Sequence, residues 1–182
     1  MKIYAGNLQS TINCDELIST ITAHNVIPLN EFMSLPEDHP YYEDVHRQTV
    51  SLKNAGYNSS SVEYRHYQSG KHFDKNVSEK FGKLVGATPL LCWISEIRPG
   101  KCTPWHWDVN PWEDNHSKLG EIVRYFCFLS KPEPGHIFVV EQDCYYYEEQ
   151  GAIYQYPDAH AYHAGTNLGL VPKFLLTFTG YK

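Results

Sequence analysis

The sequence contains no apolar run approaching the ~20 residues that a helix needs to cross a membrane, so we expect no membrane-spanning segment. It also lacks an excess of basic residues, because 15 Lys and Arg stand against 21 Asp and Glu, for a formal net charge of −6. Proteins that bind nucleic acid through its phosphates usually carry a basic patch. The charge balance therefore argues against a nucleic-acid partner.

Paired cysteine motifs are missing as well. The five cysteines are odd in number and none forms a Cys-x-x-Cys pair, which gives neither a disulfide framework nor the spacing of a zinc ribbon. The first residues lack the basic and then apolar pattern of a secretion signal. We expect a protein with reduced cysteines in the cytoplasm.

The sequence of the first half of the chain predicts short helices and loops, and its alternation over residues 62–66 indicates one strand. Asn13 or Asp15 can cap a short helix, and Asp74 can cap a second helix that ends near Leu84. Residues 28–44 are rich in Pro, Asp, Glu and Tyr, which indicates a loop.

From residue 88 onward the sequence predicts strands. Short β-branched and aromatic runs alternate with Gly and Pro turns, which is typical of an antiparallel sandwich or small barrel. The predicted strands cover 90–97, 122–129, 137–140, 145–147, 152–156 and 174–178. With 182 residues we predict one domain, mostly β, in which a helical or mixed part (1–87) packs on a jelly-roll core (88–182).

One short segment, Pro104–Asp108, carries a metal-binding pattern. Alternate side chains of an extended backbone share a face, so His106 and Asp108 point to the same side. With one further histidine from a distant strand they form the two-histidine, one-carboxylate set of non-haem Fe(II) oxygenases. This set leaves positions open for a chelating oxo-acid and for O2. Trp105 and Trp107 flank the histidine, and we expect at least one of them to form a wall of a substrate pocket.

Two histidines, His160 and His163, are candidates for the third ligand. They are three residues apart, so on a strand they would face opposite ways. Lys173 lies ten residues beyond His163, far enough for the chain to turn and return alongside, and Asn167 follows four residues after the same histidine. Both intervals favour His163. The Lys173 cation can pair with the distal carboxylate of 2-oxoglutarate while the other end chelates iron.

The run Ser95–His106 resembles the segment before the proximal metal histidine of the aspartyl/asparaginyl β-hydroxylase family. In that family a serine lies eleven residues before the histidine with Pro-Gly between them, and a distal histidine lies ten residues before a basic residue that binds 2-oxoglutarate. His163 and Lys173 reproduce the second interval. The resemblance covers roughly residues 88–180. It implies a double-stranded β-helix of the cupin-like kind, Fe(II), O2, and hydroxylation coupled to decarboxylation of 2-oxoglutarate to succinate and CO2.

The resemblance also assigns roles to two further residues. Ser95 would contact the cosubstrate, and Arg124 corresponds loosely to a family arginine in an Arg-x-His motif whose third position is Phe126 here. Arg124 can bind the cosubstrate, bind an acidic substrate, or form a structural ion pair. Asp108 is a departure, because the best-known β-hydroxylase has no carboxylate at that position.

The substrate is left open by the sequence. A longer segment with Trp112 and His116 follows the proposed metal residues, and a loop of this sort can change specificity completely. The substrate can be a peptidyl Asp or Asn side chain or a small molecule. Two other functions fit parts of the pattern: a cupin-like metalloenzyme that acts without 2-oxoglutarate, and a non-catalytic β-sandwich that binds carbohydrate or peptide.

Overall fold

The computed structural model describes residues 1–29, 37–58, 60–108 and 120–182. These residues form ten strands in two antiparallel sheets. The strands are β1 (Ile3–Asn7), β2 (Arg65–Gln68), β3 (Thr88–Ile97), β4 (Lys101–His106), β5 (Ile122–Phe128), β6 (His136–Val140), β7 (Asp143–Tyr146), β8 (Ala152–Gln155), β9 (His163–Asn167) and β10 (Lys173–Tyr181). The larger sheet has the order β1-β8-β5-β10-β3-β2, and the smaller has the order β4-β9-β6-β7. The predicted mostly β, jelly-roll architecture is confirmed.

The described residues also form three α-helices: α1 (Cys14–Thr22), α2 (Tyr42–Asn54) and α3 (Asn76–Val85). The cap of α1 is Asn13, whose side chain accepts a hydrogen bond from the amide of Glu16 at 3.1 Å. In the described part of the chain, no helix is long and apolar enough to cross a membrane.

Helix α2 corrects the loop that the sequence indicated over 28–44, because the helix begins at Tyr42. Val45 is the one buried residue of this helix, so its sequence carries little of the apolar periodicity that identifies most helices. Residues 30–36 of the predicted loop lie outside the described residues.

Helices α1 and α3 cover the outer face of the larger sheet. Leu17 and Ile21 of α1 and Phe81 of α3 are buried in one cluster with outward-facing strand residues such as Ile94. Phe81 stacks on Phe178 with 4.8 Å between ring centroids. Burial of these apolar side chains holds both helices on the sheet.

The space between the sheets is filled at one end by aromatic side chains. Phe126 of β5 lies at the centre, with ring centroids 4.8 Å from Phe138 of β6, 4.9 Å from Tyr145 of β7 and 5.0 Å from Tyr156. The rings meet tilted or edge to face, which is the favoured geometry for aromatic pairs. This cluster fixes the two sheets face to face.

The N-terminal half of the chain contributes two strands to the larger sheet. Strand β1 pairs with β8 at one edge, and β2 pairs with β3 at the other. The alternation over residues 62–66 predicts a strand that overlaps β2, whereas the prediction of an N-terminal part packed on a core beginning at residue 88 did not include β1. Edge strand β2 carries His66 on the same inner face as Ser95, its register partner on β3.

Phe126→Ala is expected to lower the free energy of unfolding by about 3–5 kcal/mol, because it leaves a large cavity in the aromatic cluster between the sheets. Phe126 is 0% exposed. Tyr146→Ala, at a residue that is 51% exposed, should change it by less than about 0.5 kcal/mol. Urea unfolding of both variants measures the difference. Equal losses would contradict the described core.

Candidate metal centre

The pairing of β4 with β9 brings the two predicted histidine ligands together. His106 at the end of β4 is the register partner of His163 at the start of β9, and their ring centroids are 4.4 Å apart. Asp108 follows β4 and completes a group whose candidate ligand atoms all lie within 4.8 Å of one another. One carboxylate oxygen of Asp108 is 3.2 Å from His106 Nε2, and the other is 3.5 Å from His163 Nε2.

The ring orientations of both histidines suit a metal ligand. His106 Nδ1 lies 2.6 Å from the carbonyl oxygen of Pro104, and His163 Nδ1 lies 3.0 Å from that of Ala161. If each Nδ1–H donates to its carbonyl, the lone pair of Nε2 is left to face the other ligands. Two imidazoles and a carboxylate are a donor set that suits Fe(II), so the residues present fit that metal.

Charge at the site is concentrated on Asp108. Burial raises the pKa of its carboxyl, but the charges of Arg124 and the two histidines outweigh this and hold the pKa well below its usual range. Burial lowers the pKa of His163 to about 3, so its imidazole is neutral at pH 7. Burial also lowers the pKa of His106, but the hydrogen bond and charge of Asp108 outweigh it and leave that pKa raised. An ionised carboxylate and a neutral imidazole are the forms that bind a cation.

Arg124 is tied to the metal group through Asp108. One nitrogen of its guanidinium donates to the Asp108 carboxylate, and the other donates to the carbonyl oxygen of Ala159 at 3.0 Å. The guanidinium carbon also lies 4.7 Å from the ring centroid of Tyr156. Of the three roles left open by the sequence, the structure shows the ion pair. With a side chain that is 1% exposed, Arg124 holds the carboxylate in place and keeps it ionised.

The three residues of the metal group line a cavity of about 390 Å³ between the sheets. Ser95 lines the same cavity from β3. Its register partner on β10 is Leu175, and Lys173 pairs with Ile97. Ser95 and Lys173 are therefore diagonal neighbours on the inner face of adjacent strands. The metal group borders the same inner face.

Lys173 is a buried cation, 1% exposed. Its Nζ donates to the carbonyl oxygen of Ile137 at 2.5 Å and lies 5.2 Å from the ring centroid of Phe138. Within the described ranges no carboxylate lies within ion-pair distance of Lys173 Nζ. Burial lowers the pKa of the ammonium to about 7. A buried charge without a partner is costly, so an anion bound beside Lys173 would be stabilised.

Gly165 of β9 keeps the space beside Lys173 open. A Cβ at this position would lie 2.9 Å from Ile97 Cδ1, 3.1 Å from Thr103 Oγ1 and 3.5 Å from Lys173 Nζ. Ile97 and Thr103 both line the cavity. Because Gly165 has no side chain, the space between Lys173 Nζ and the cavity-lining residues Ile97 and Thr103 stays open.

The expectation that Trp105 or Trp107 forms a pocket wall is wrong for the cavity that the structure describes, because neither residue lines it. Trp105 stacks on Tyr162 with 6.0 Å between centroids, and Trp107 contacts His160 at 5.4 Å. Alternation explains this result, since residues on either side of His106 point away from the face that His106 occupies. His160, the rejected ligand candidate, lies beside Trp107 and outside the metal group.

One wall of the cavity is instead formed by the rings of Tyr64, His66 and Trp93, and Phe138 and Tyr156 also line it. No sequence pattern selects the first three, because His66 has no partner at ligand spacing and Trp93 lies within a predicted buried strand. Burial lowers the pKa of His66 to about 4, so this wall is uncharged at pH 7. Trp112 and His116, which the sequence placed in a substrate loop, lie outside the described residues.

His163→Ala is expected to weaken binding of Co(II), a stand-in for Fe(II), by more than about 100-fold. Loss of a direct ligand should cost more than the 10–100-fold typical for loss of a group that only orients one. Calorimetric titration of Co(II) into metal-free protein measures the change. His160→Ala is the matched control and should bind as the wild type does. Equal affinities in all three proteins would rule out the described ligand set.

In the ligand-free protein, Lys173→Met is expected to raise the free energy of unfolding. It should also make that free energy increase less steeply with pH. Burial in the folded protein lowers the pKa of the Lys173 ammonium from its ordinary value of 10.5 to about 7. Between these values the unfolded chain binds more protons, so wild-type stability rises with pH. The variant loses this contribution and should melt higher at pH 7 by at least roughly 2–4 °C, the shift that about 1 kcal/mol gives in a chain of this size.

Thermal melts of wild type and Lys173→Met at pH 6, 7, 8 and 9 test this expectation. Lys80→Met, at an exposed position of α3, is the control and should follow the wild-type curve. A Lys173→Met protein that melts lower at every pH would mean that the ammonium is already stabilised in the folded protein.

No family model and no curated protein matches this sequence. An oxidoreductase of the 2OG-Fe(II) oxygenase family from Burkholderia pseudomallei matches in structure with a TM-score of 0.50 and 11% identity, over 91% of this chain and 77% of that one.

Other solved structures match with lower scores. The viral collagen prolyl hydroxylase vCPH from Paramecium bursaria Chlorella virus-1 has a TM-score of 0.46 and 15% identity, over 100% of this chain and 95% of that one. A predicted oxalate decarboxylase from Thermotoga maritima has a TM-score of 0.41 and 12% identity, over 66% and 82%. At these identities the comparisons show the fold alone. The chain has the double-stranded β-helix fold that cupins and 2-oxoglutarate oxygenases share.

Proposed function

We propose that this chain is a non-haem Fe(II) oxygenase that hydroxylates a C–H bond of its substrate and couples this to decarboxylation of 2-oxoglutarate to succinate and CO2. The observation that carries the proposal is the buried Lys173 ammonium, which has no carboxylate partner among the described residues and lies on the strand next to Ser95. A metal group alone would fit other reactions. A metal group with a buried cation for a dicarboxylate beside it favours 2-oxoglutarate.

Each described residue of the site has a role in this proposal. His106, Asp108 and His163 would hold Fe(II), and Lys173 and Ser95 would hold the distal carboxylate of 2-oxoglutarate. When bound, the metal and the cosubstrate supply the oxidising chemistry with O2. The protein supplies position and charge.

Arg124 acts on the ligand rather than on the reacting groups. Its ion pair keeps the Asp108 carboxylate ionised and fixes its direction. His106 has the raised pKa of the two histidines, so metal binding must displace its proton where it is protonated. Metal affinity should therefore fall as the pH drops through the raised pKa of His106.

The resemblance to aspartyl/asparaginyl β-hydroxylases belongs to the same proposal, and it rests on the Ser95–His106 run and on the interval between His163 and Lys173. Cytoplasmic location is part of it too. All five cysteines are free in the structure, which suits a reducing compartment.

An anaerobic titration of Fe(II) and 2-oxoglutarate into metal-free protein tests the proposal. A weak visible charge-transfer band should appear only when both are present, and it should be absent in His163→Ala. Lys173→Met should need about ten- to a hundredfold more 2-oxoglutarate, because it loses a charge-assisted hydrogen bond. Lys80→Met should titrate like the wild type.

The same titration separates the rival functions. Metal binding without the band would favour a cupin-like metalloenzyme that works without 2-oxoglutarate. Absence of metal binding would favour a β-sandwich that binds carbohydrate or peptide and has no catalytic role. Either result would contradict the proposed oxygenase.

A further inference from the structure

Helix α2 forms one wall of the cavity that the metal group lines. Its contribution is Val45, Gln48, Thr49 and Leu52, whose spacing of three, four and seven residues puts them on one face of the helix. Leu29 extends this wall. The wall is mostly apolar, with Gln48 and Thr49 as its polar members.

A row of aromatic rings lines the cavity: Tyr64 immediately before β2, His66 of β2 and Trp93 of β3. Tyr64 and His66 have centroids 4.8 Å apart, and His66 and Trp93 have centroids 6.1 Å apart. His66 is neutral at pH 7 because burial lowers its pKa to about 4. A flat or apolar group bound in the cavity could pack against these rings.

Among the described residues that line the cavity, formal charge is confined to the metal group. It lies on Asp108, which Arg124 already pairs with, and on His106 where that imidazole is protonated. A carboxylate or ammonium group placed against α2 or the aromatic row would find no opposite charge there. Burial of an unpaired ion is strongly unfavourable.

Gln48 supplies a specific polar contact that is unused. Its carboxamide oxygen is fully buried and has no hydrogen-bond partner in the described part of the protein. Buried polar atoms are nearly always paired in folded proteins, by the protein itself, by water or by a ligand. Gln48 lines the cavity, and a rotation of its carboxamide would turn this oxygen toward an N–H or O–H group of a bound molecule.

We infer that the part of the cavity between α2 and the row Tyr64, His66 and Trp93 binds an uncharged small molecule whose N–H or O–H group donates to Gln48. The inference rests on the proposed function for the metal side and names the class of substrate that the site accepts. The volume of about 390 Å³ must also hold 2-oxoglutarate, so the substrate is small. The wall favours an amide over a carboxylate.

Three probes of similar shape test the inference by ligand-observed NMR. Benzamide is neutral and has an N–H donor, acetophenone is neutral without a donor, and benzoate is charged. Binding is measured in metal-free Lys173→Met protein, so that the buried ammonium and the metal cannot capture benzoate. Benzamide should bind about tenfold more tightly than acetophenone, as expected for one satisfied buried acceptor. Benzoate should bind at least as weakly as acetophenone.

Variants of Gln48 connect the preference to that side chain. Gln48→Leu should remove the preference for benzamide over acetophenone. Gln48→Glu should gain affinity for benzylammonium, because it adds a carboxylate at the same place. Gln68→Leu, at an exposed glutamine of β2, should leave all affinities unchanged.

Benzoate binding as tight as that of benzamide would overturn the inference, and so would a preference that survives Gln48→Leu or a failure of every probe to bind. These measurements need no turnover. If the protein binds benzamide selectively but gives no charge-transfer band with Fe(II) and 2-oxoglutarate, the oxygenase proposal is wrong and this inference stands. A protein that passes the titration but prefers benzoate would sink this inference alone.

Discussion

The site depends on one strand pairing. Antiparallel β4 and β9 place His106 opposite His163, and the register shift between Thr103 and His106 occurs immediately before this pair. A slip of one residue would turn one imidazole to the other face. Because the carbonyl oxygens of Pro104 and Ala161 lie beside Nδ1 of the two rings, the local backbone also sets which nitrogen faces Asp108. Ligand geometry here is therefore a property of the sheet.

Three buried charges lie around that pair, on Asp108, Arg124 and Lys173, and the first two are paired whereas the third is not paired with any described residue. Asp108 and Arg124 compensate each other, which lets an ionised carboxylate exist in the interior. Lys173 lacks such compensation among the described residues, and its lowered pKa reflects the cost of burial. An apolar residue at this position would make the ligand-free protein more stable. A cation that costs stability in the ligand-free protein is more readily explained by an anionic ligand.

The sequence predicted what depends on periodicity and short intervals. Alternation along Pro104–Asp108 put His106 and Asp108 on one face, and the ten-residue interval to Lys173 selected His163 over His160. The same alternation also turns Trp105 and Trp107 away from the cavity, a consequence that the sequence prediction did not carry through.

The features that the sequence did not predict depend on tertiary contacts. Helix α2 buries too little apolar surface to show a clear helical period. The contact of Arg124 with Asp108 joins residues that no local pattern connects. Gln48 and the ring row beside His66 face the cavity only because β2 pairs with β3 and α2 packs nearby. Substrate selectivity therefore had to be inferred from the assembled cavity.

The most direct measurement of the central claim is the coupling between metal and 2-oxoglutarate binding. Calorimetry would give the 2-oxoglutarate dissociation constant with and without Co(II), for wild type, Asp108→Ala and Lys173→Met. A chelating cosubstrate held at both ends predicts at least about tenfold tighter binding with metal in the wild type, a coupling of roughly 1.4 kcal/mol. The coupling should be lost in Asp108→Ala, whereas Lys173→Met should bind more weakly with and without metal. If 2-oxoglutarate binds equally with and without metal in the wild type, the site is not a chelate centre and the account is wrong.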